Sequence, residues 1–443
     1  MRIYFTWLLI PVVLVALPVY WLALRRDGRR RTFIVILSLT VLAALQPAFA
    51  VVAVGLAFVA HQIVEAFKAR RLTTARALVI AVTVAVVTLA IGKYGQVMVG
   101  RLWGHDWLWS HLVMPLGISY FVFRLLQYVF DHLRGVLRDN SFRDLLAFML
   151  FLPTFPAGPL ETYQGFYGKR SVDFDLALFN AGLRRIVIGY FKKVFVEGLV
   201  MTIYFGPYVT RVLRPGFGFE SAHPLQASAF CAIVFVRAYI DLSAYTDLAI
   251  GFAALFGFRI MENFHYPFLS QNLAEFWRRW HISLSSWCRN NVYFPVFGAT
   301  RKVWLGLYAS MMTMGLWHYV GLNWALWALW HGTGLVSVNW WMKHKKQRRR
   351  TTKRRPGPLQ QALRAPLGYV ATFCFVALGY SFVSTPNISK AFVVLFAALA
   401  GPFVWLAGLG AAGLAALLIA LALAAGVIVV VSVLRRRLQA AEA

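Results

Sequence analysis

The chain has 443 residues, of which 60% are hydrophobic and only 14% are charged. A soluble protein carries about 25% charged residues, so this composition excludes an ordinary soluble enzyme and indicates a polytopic membrane protein. The formal net charge is +29, which in a soluble protein would indicate nucleic-acid binding. Here the basic residues form short clusters between apolar runs, as the positive-inside rule produces. The expected partner is therefore the lipid bilayer and not nucleic acid.

The N-terminal part predicts transmembrane helices, since a span needs about 20 apolar residues. Residues 3–24 form the first span, and a cluster of arginines follows it. Residues 32–65 are interrupted at Pro47 and lie between two basic clusters, so two short helices are predicted there and not one crossing. Residues 77–99 then cross outward, and a Trp-rich outer interface is expected over residues 100–112.

The middle of the chain predicts spans mixed with broken segments. Residues 113–130 return inward, and residues 144–160 end in three prolines and a glycine with basic residues at both ends. The latter is predicted to be re-entrant, because broken backbone at membrane depth is tolerated only inside protein or along a cavity. Residues 186–206 and 224–257 are long spans. Residues 258–302 are charged and aromatic and predict interfacial helices and loops.

The C-terminal part begins with a hairpin. Residues 303–340 are apolar with basic residues on both flanks, which predicts a helical hairpin. Residues 364–384 form a span. Residues 389–434 are long enough for two passes but end in arginines, so the number of crossings there stays open. In total we expect ten to twelve membrane elements, all α-helical.

His318 is the leading candidate for chemistry. Ionisable groups at bilayer depth cost about 2.5–3.5 kcal/mol, so they mark sites or pathways. His318 lies between Trp317 and Tyr319 in the predicted hairpin, where burial would favour the neutral imidazole that a general base needs. The alternative is a buried histidine bonded to a backbone carbonyl. His331 lies near the hairpin's exit, where a polar cap or packing is the expected role and catalysis is the alternative. It is also a candidate for the lining of a tunnel.

A basic segment, FWRRWHISLSSW, predicts one amphipathic interfacial helix. Arg278, Arg279 and His281 lie away from its apolar face. That face is formed by Phe276, Trp280, Leu284 and Trp287. The predicted role of Arg278, Arg279 and Arg289 is to bind the anionic part of a thioester donor, because guanidinium binds phosphate bidentately. Trp277 is assigned to the same donor site. The alternative is membrane docking through the tryptophans, with snorkelling arginines.

Polar residues inside other apolar segments complete the candidate set. Asp241 and Tyr245 are four residues apart and therefore share a helix face. Two roles stay open for this region: orienting a catalytic or substrate group, or structural pairing of its acids with the arginines of the basic segment. Arg124 and Gln127 could line a tunnel or pack against the re-entrant segment. Asn323, inside the predicted hairpin, is a further candidate for tunnel lining. No cysteine spacing indicates a metal site.

Four blocks resemble the membrane-bound O-acyltransferase family, most closely its bacterial alginate O-acetyltransferase-like branch. They occur in the family's order: MPLGISYFVFRLLQYVFDHLRG (114–135), FLPTFPAGPLETYQGF (151–166), the nearly continuous 239–298, and MGLWHYVGLNWALWALWHG (314–332). The resemblance implies that His318 is the essential histidine and His281 the second functional one. Three positions depart from the family pattern, namely His265, Asn290 and Tyr319.

The same resemblance implies a ring of tilted helices around a central funnel. It divides the chain into N-terminal helices (1–110), a catalytic core (111–340), and a cytoplasmic basic loop with C-terminal helices (341–443). The donor, acetyl-CoA or an acyl-carrier protein, enters from the cytoplasm, and an extracytoplasmic glycan hydroxyl enters from the other face. No bound cofactor or metal is implied. The expected location is the bacterial inner membrane, and a periplasmic or extracellular acetyltransferase is a further partner that the resemblance allows.

The sequence leaves three other functions open. The main variant is D-alanyl transfer to teichoic acid from a carrier-protein thioester. A transporter or flippase would call for inverted repeats, and the sequence contains none that we can detect. The third is an assembly subunit that has lost its chemistry.

Overall fold

The computed structural model describes residues 2–103, 117–138, 141–214, 224–351 and 358–407. Its helices are α1 (Arg2–Pro18), α2 (Asp27–Leu45), α3 (Pro47–Lys68), α4 (Thr74–Trp103), α5 (Ile118–Leu133), α6 (Phe142–Leu150), α7 (Tyr163–Gly168), α8 (Leu176–Tyr190), α9 (Gly206–Leu213), α10 (Pro224–Leu255), α11 (Leu273–Arg279), α12 (Ile282–Cys288), α13 (Phe294–Thr300), α14 (Val303–His318), α15 (Leu322–Thr351), α16 (Pro358–Ser384) and α17 (Ile388–Ala407). Wider π-helical turns extend three of them, over Val19–Ala23, Phe191–Tyr204 and Arg289–Tyr293.

Four of the described helical stretches are long and apolar enough to cross a membrane, judged by length and composition. They are Pro47–Lys68, Thr74–Gly95, Leu225–Leu255 and Ala365–Ser384, and shorter apolar helices lie at Trp7–Ala23 and Ile388–Ala400. Apolar side chains such as Val51, 74% exposed, line their outer surfaces, which suits contact with lipid tails. The predicted all-α membrane protein is confirmed for the described part of the chain.

The break predicted near Pro47 is present. Helix α2 ends at Leu45, Gln46 leaves helical geometry at φ −149° and ψ 73°, and Pro47 begins α3. Proline suits this first helical position because its fixed φ is helical and its missing N–H would have no helical acceptor there. Most of the predicted Trp-rich outer interface, and the chain beyond Ala407, lie outside the described residues.

The described chain forms two compact units. The first contains Met1–Lys193 and Leu242–Asn263, and the second contains Val194–Asp241 and Phe264–Ala443. Helix α10 contributes to both units. The division at residues 110 and 340 expected from the sequence stays a prediction.

The first unit contains the predicted re-entrant segment. Helix α6 ends at Leu150, α7 begins at Tyr163, and residues 151–160 between them are non-helical and buried throughout. Gly117, at φ +85°, lies against this segment so closely that a Cβ would approach the Phe155 carbonyl oxygen to 2.5 Å. A glycine is therefore required there. The broken backbone lies inside protein, as predicted.

The second unit contains the predicted hairpin. Helices α14 and α15 pack against each other and are joined by the short turn over residues 319–321. At Gly315 an added Cβ would lie 2.7 Å from the Trp324 carbonyl oxygen. The absence of a side chain at Gly315 thus lets the two helices approach closely and sets where Trp324 lies.

Candidate functional site

His318 is the last residue of α14, at the tip of the hairpin. The helix ends there because Tyr319 adopts an extended backbone, with φ −160° and ψ 135°. The imidazole stacks on the Trp324 indole of α15, with ring centroids 4.6 Å apart and planes inclined by 17°. Trp317 meets it edge-on at 4.7 Å. Aromatic rings from both helices therefore hold the imidazole.

The burial predicted for His318 is wrong. The residue is exposed, as are the next two in the turn, Tyr319 at 53% and Val320 at 61%. The cause is position: a residue at the end of a helix and the start of a short turn is not covered by the neighbouring helix. Stacking on Trp324 takes the place of burial in orienting the ring.

His281 lies at a break in the predicted amphipathic helix. Trp280 is extended and His281 is left-handed, at φ 45° and ψ 53°, so α11 and α12 are separate short helices. Trp280 forms an antiparallel bridge with Phe264, and the His265 N–H donates to the Arg279 carbonyl at 2.9 Å. This pairing with an earlier loop competes with helical hydrogen bonding, which is why the single predicted helix is wrong.

The His281 side chain is buried, at 3% exposure, and does not lie on a polar face as predicted. Burial lowers its pKa to about 4, so the imidazole is neutral near pH 7 and suited to accept a proton. Its left-handed backbone is uncommon for residues other than glycine. Such conformations persist only where the surrounding structure enforces them, and they concentrate at functional sites.

Trp277 and His331 contact each other in the second unit. Their ring centroids are 5.3 Å apart at 82°, and both contact Trp327, Trp277 at 5.9 Å and His331 at 4.7 Å. Trp327 in turn lies 6.3 Å from His318. The structure thus brings three predicted site residues, Trp277, His318 and His331, around one indole ring.

The alternative role predicted for the basic segment, membrane docking through its tryptophans, is wrong. Trp277, Trp280 and Trp287 are each at most 8% exposed. Trp280, for example, stacks on Phe276 at 5.4 Å and contacts Phe235 of α10. Because these rings are covered by protein, they are not available to the lipid interface.

The three arginines predicted to bind the donor have different surroundings. Arg278 and Arg289 are exposed, and Arg289 also donates to the Asn290 side chain at 3.4 Å. Arg279 forms an ion pair with Glu275 at 2.9 Å and donates to the His265 carbonyl at 3.3 Å. Arg279 therefore stabilises the loop beside His281, whereas Arg278 and Arg289 remain accessible to an anion.

Helix α10 contains Asp241, which is half-buried, and Tyr245, which is buried. A second acid of this helix, Asp247, is 4% exposed. It pairs with Arg185 and, at 2.6 Å, with Lys192, both from the α8 helix and its extension. The expected pairing with arginines of residues 278–289 is therefore wrong for Asp247, because closer cations come from the first unit itself.

The remaining candidates form hydrogen bonds with other groups of the protein. The buried Arg124 guanidinium donates to the Thr154 carbonyl at 2.8 Å. Arg124 therefore packs against the re-entrant segment, which was the alternative to tunnel lining. Gln127 donates to Asp131 on the same helix at 2.8 Å. Asn323 donates to the Phe382 carbonyl of α16 at 2.8 Å.

Sequence reasoning missed Trp324 and Trp327, which form the aromatic surface beneath His318. The signal was present, because residues 324, 327 and 331 recur at helical spacing and share one face of α15. A ring stack between a helix-terminal histidine and the next helix is visible only once the turn geometry is known.

Comparison with known proteins identifies the family. The model of the membrane-bound O-acyltransferase family matches residues 48–381. A probable alginate O-acetylase of Pseudomonas fluorescens is 34% identical over 236 residues, covering 51% of this chain and 45% of that protein. The teichoic acid D-alanyltransferase of Bacillus subtilis is 28% identical, over 61% of this chain and 68% of that protein. The peptidoglycan O-acetyltransferase of Helicobacter pylori is also 28% identical, over 66% and 58%.

The matched part of the chain spans about half the length of the alginate O-acetylases. The family match, however, extends over most of the chain and includes both histidines, the re-entrant segment and the hairpin. The chain therefore belongs to the membrane-bound O-acyltransferase family.

Proposed function

We propose that this protein transfers an acetyl group from a thioester donor to a hydroxyl of a cell-envelope polysaccharide, with His318 as general base. The observation that carries the proposal is the His318 imidazole, exposed at the hairpin tip yet oriented by the Trp324 stack. An exposed ring can reach a substrate hydroxyl, and a stacked ring keeps one orientation, both of which a general base needs.

The reaction balances without a further reactant. His318 accepts the proton of the acceptor hydroxyl as its oxygen attacks the thioester carbonyl. The C–O ester bond forms and the C–S bond breaks, and the proton passes from the imidazolium to the departing thiolate. The imidazole returns to its neutral form, and no resident cofactor or metal takes part in these steps.

The other candidates have supporting roles in the proposal. His281, neutral by burial, is the second functional imidazole. Arg278 and Arg289, which are exposed, bind the anionic part of the donor. Asp241 and Tyr245 orient substrate from α10.

The proposed setting is a funnel of tilted helices in the inner membrane of a bacterium. The catalytic core covers residues 111–340, and basic clusters lie on the cytoplasmic side. The donor, acetyl-CoA or an acyl-carrier protein, enters from that side and the glycan from the other. A periplasmic or extracellular acetyltransferase is a proposed partner.

The second candidate function is D-alanyl transfer to teichoic acid from a carrier-protein thioester. Its support is the similarity to the D-alanyltransferase of Bacillus subtilis, of which this chain covers 68%. The chemistry at the reacting carbonyl is the same, so the two candidates differ in the acyl donor and in the acceptor polymer, and the donor is the easier of the two to vary.

Membranes containing the protein test the proposal directly. They are supplied with radiolabelled acetyl-CoA or with radiolabelled D-alanyl carrier protein, and label that hydroxylamine releases from polymer is counted as ester. We expect ester from acetyl-CoA, none from the D-alanyl carrier, and none in membranes lacking the protein. Ester from the D-alanyl carrier alone would favour the second candidate, and no ester from either would contradict acyl transfer to a glycan.

A further inference from the structure

Two buried polar groups next to each other lack hydrogen-bond partners among the described residues. They are the indole Nε1 of Trp277, 8% exposed, and both ring nitrogens of His331, 0% exposed. The two rings are neighbours, with centroids 5.3 Å apart and planes at 82°. A buried polar group without a partner is unfavourable, so two in contact call for a common explanation.

The described surroundings of His331 explain why its ring nitrogens have no hydrogen-bond partner there. Trp327 of its own helix lies 4.7 Å away and Phe375 of α16 lies 5.8 Å away. Gly379 is so close that a Cβ there would lie 3.0 Å from the His331 Nε2. These neighbours present rings and a glycine to the imidazole. Packing against such neighbours does not require an imidazole, whose two ring nitrogens gain no hydrogen bond from them, so packing alone does not account for the histidine.

The hydrogen-bonding capacity of the pair defines the ligand. The indole N–H of Trp277 only donates, and a neutral imidazole always carries one N–H donor as well. Donors on two neighbouring rings match one oxygen atom with two lone pairs. A carbonyl oxygen and a water oxygen share this chemistry.

We propose that Trp277 and His331 form a binding site for a single oxygen acceptor, either the acyl carbonyl of the donor or one enclosed water. The carbonyl assignment rests on the proposed acyl transfer, and the water assignment does not. Trp327 connects the site to the catalytic region, since its indole contacts both His331 and, at 6.3 Å, His318. Donors aimed at an acyl carbonyl would stabilise negative charge that develops on it during transfer.

An isosteric replacement tests the site without changing its packing. Trp277 is replaced with benzothienylalanine, which keeps the ring shape and removes only the N–H. The matched control is the same replacement at Trp330, whose N–H already donates to the Phe375 carbonyl at 3.0 Å. Two quantities are measured on detergent-purified protein: the unfolding temperature without donor, and the affinities for acetyl-CoA and for CoA.

Each source of the oxygen predicts its own result. If the oxygen is the acyl carbonyl, the Trp277 replacement weakens acetyl-CoA binding by about two- to tenfold, the worth of one hydrogen bond, and leaves CoA binding and the unfolding temperature unchanged. If the oxygen is an enclosed water, the Trp277 replacement lowers the unfolding temperature, as the Trp330 replacement should, and the affinities for acetyl-CoA and CoA stay the same. His331→Phe should reproduce either result, and the combined variant should lose no more than one alone, because one oxygen is shared.

The inference is contradicted if the Trp277 replacement and His331→Phe both keep the wild-type unfolding temperature and the wild-type acetyl-CoA affinity. If wild-type protein fails to bind acetyl-CoA, that donor is wrong, and the unfolding comparison still decides the site. A fall in unfolding temperature then supports the enclosed water, and no change overturns the oxygen site. Should the Trp277 replacement fail to fold, His331→Phe carries the same comparison.

Discussion

His318 and Trp324 form a face-to-face stack across the turn of the hairpin, with ring centroids 4.6 Å apart and planes inclined by 17°. Two sequence features set the stack. The first is that helix α14 ends at His318. The second is that Gly315 has no Cβ, which allows the Trp324 backbone carbonyl to lie close to α14. The relationship makes Trp324 a positioning residue for the proposed base.

Replacing Trp324 should therefore affect turnover and not donor binding. Trp324→Ala removes the stack, and loss of orientation of a reacting group can cost about 10²-fold in rate. Trp324→Phe keeps an aromatic face and should recover most of the rate. The measurement is kcat and KM for acetyl-CoA in purified membranes. Equal losses in the two variants, or a change in KM alone, would argue against a positioning role.

Arg124 should stabilise the re-entrant segment. Its buried guanidinium donates to the Thr154 carbonyl at 2.8 Å. Arg124→Met leaves that carbonyl without its donor inside protein, so we expect the unfolding free energy to fall by about 1–3 kcal/mol. The exposed Arg138 provides the control, since Arg138→Met should leave the unfolding temperature of the purified protein unchanged. A wild-type unfolding temperature for Arg124→Met would show that the contact contributes nothing.

His281 should make stability depend on pH. Its pKa of about 4 in the folded protein lies below the ordinary value of about 6.5, so the unfolded chain binds the proton first. Above about pH 6.5, His281 therefore does not change the free energy of unfolding with pH. Below that value it lowers the free energy of unfolding by about 1.4 kcal/mol per pH unit until the pH approaches 4.

His281→Asn isolates this effect, because asparagine tolerates the left-handed backbone and does not titrate. Unfolding temperatures of wild type and variant are compared at about pH 7.5 and about pH 5, on either side of the unfolded value. The wild type should lose more on acidification than the variant. The same loss in both proteins would mean that His281 is not buried as a neutral imidazole.

The exposed arginines should bind the donor, and Arg279 should not. Replacing Arg278 and Arg289 together with glutamine should raise the KM for acetyl-CoA, and the effect should shrink at high salt, because exposed charges are screened over about 10 Å. Arg279→Gln breaks the pair with Glu275 and should instead lower the yield or unfolding temperature. An unchanged KM in the Arg278/Arg289 variant at normal yield would remove both from the donor site.

The helical hairpin and the break at Pro47 could be predicted from the sequence because each depends on local pattern. Apolar length and flanking charge define the hairpin, and proline cannot continue the hydrogen bonding of the preceding helix. The buried, broken segment over residues 151–160 followed from its prolines for the same reason.

The surroundings of the candidate histidines could not be predicted in this way. The break at Trp280 and His281 arises from pairing with Phe264, which is sixteen residues earlier and leaves no mark on the helical pattern of FWRRWHISLSSW. The exposure of His318 depends on where the helix ends, and hydropathy does not register a single-residue boundary. Asp247 pairs with Lys192 because α10 packs against α8 and its extension. The number and positions of charged residues in the sequence do not show which of them will meet.

The rate of acyl transfer by His318→Ala tests the central claim most directly. Labelled acetyl transfer is measured in membranes with equal amounts of wild type, His318→Ala and His344→Ala, the last being an exposed histidine that bonds only its own helix at the Trp340 carbonyl in the described structure. Loss of a general base should lower the rate by about 10²–10⁴-fold at an unchanged unfolding temperature, while His344→Ala keeps the wild-type rate. Transfer by His318→Ala at the wild-type rate would contradict the account.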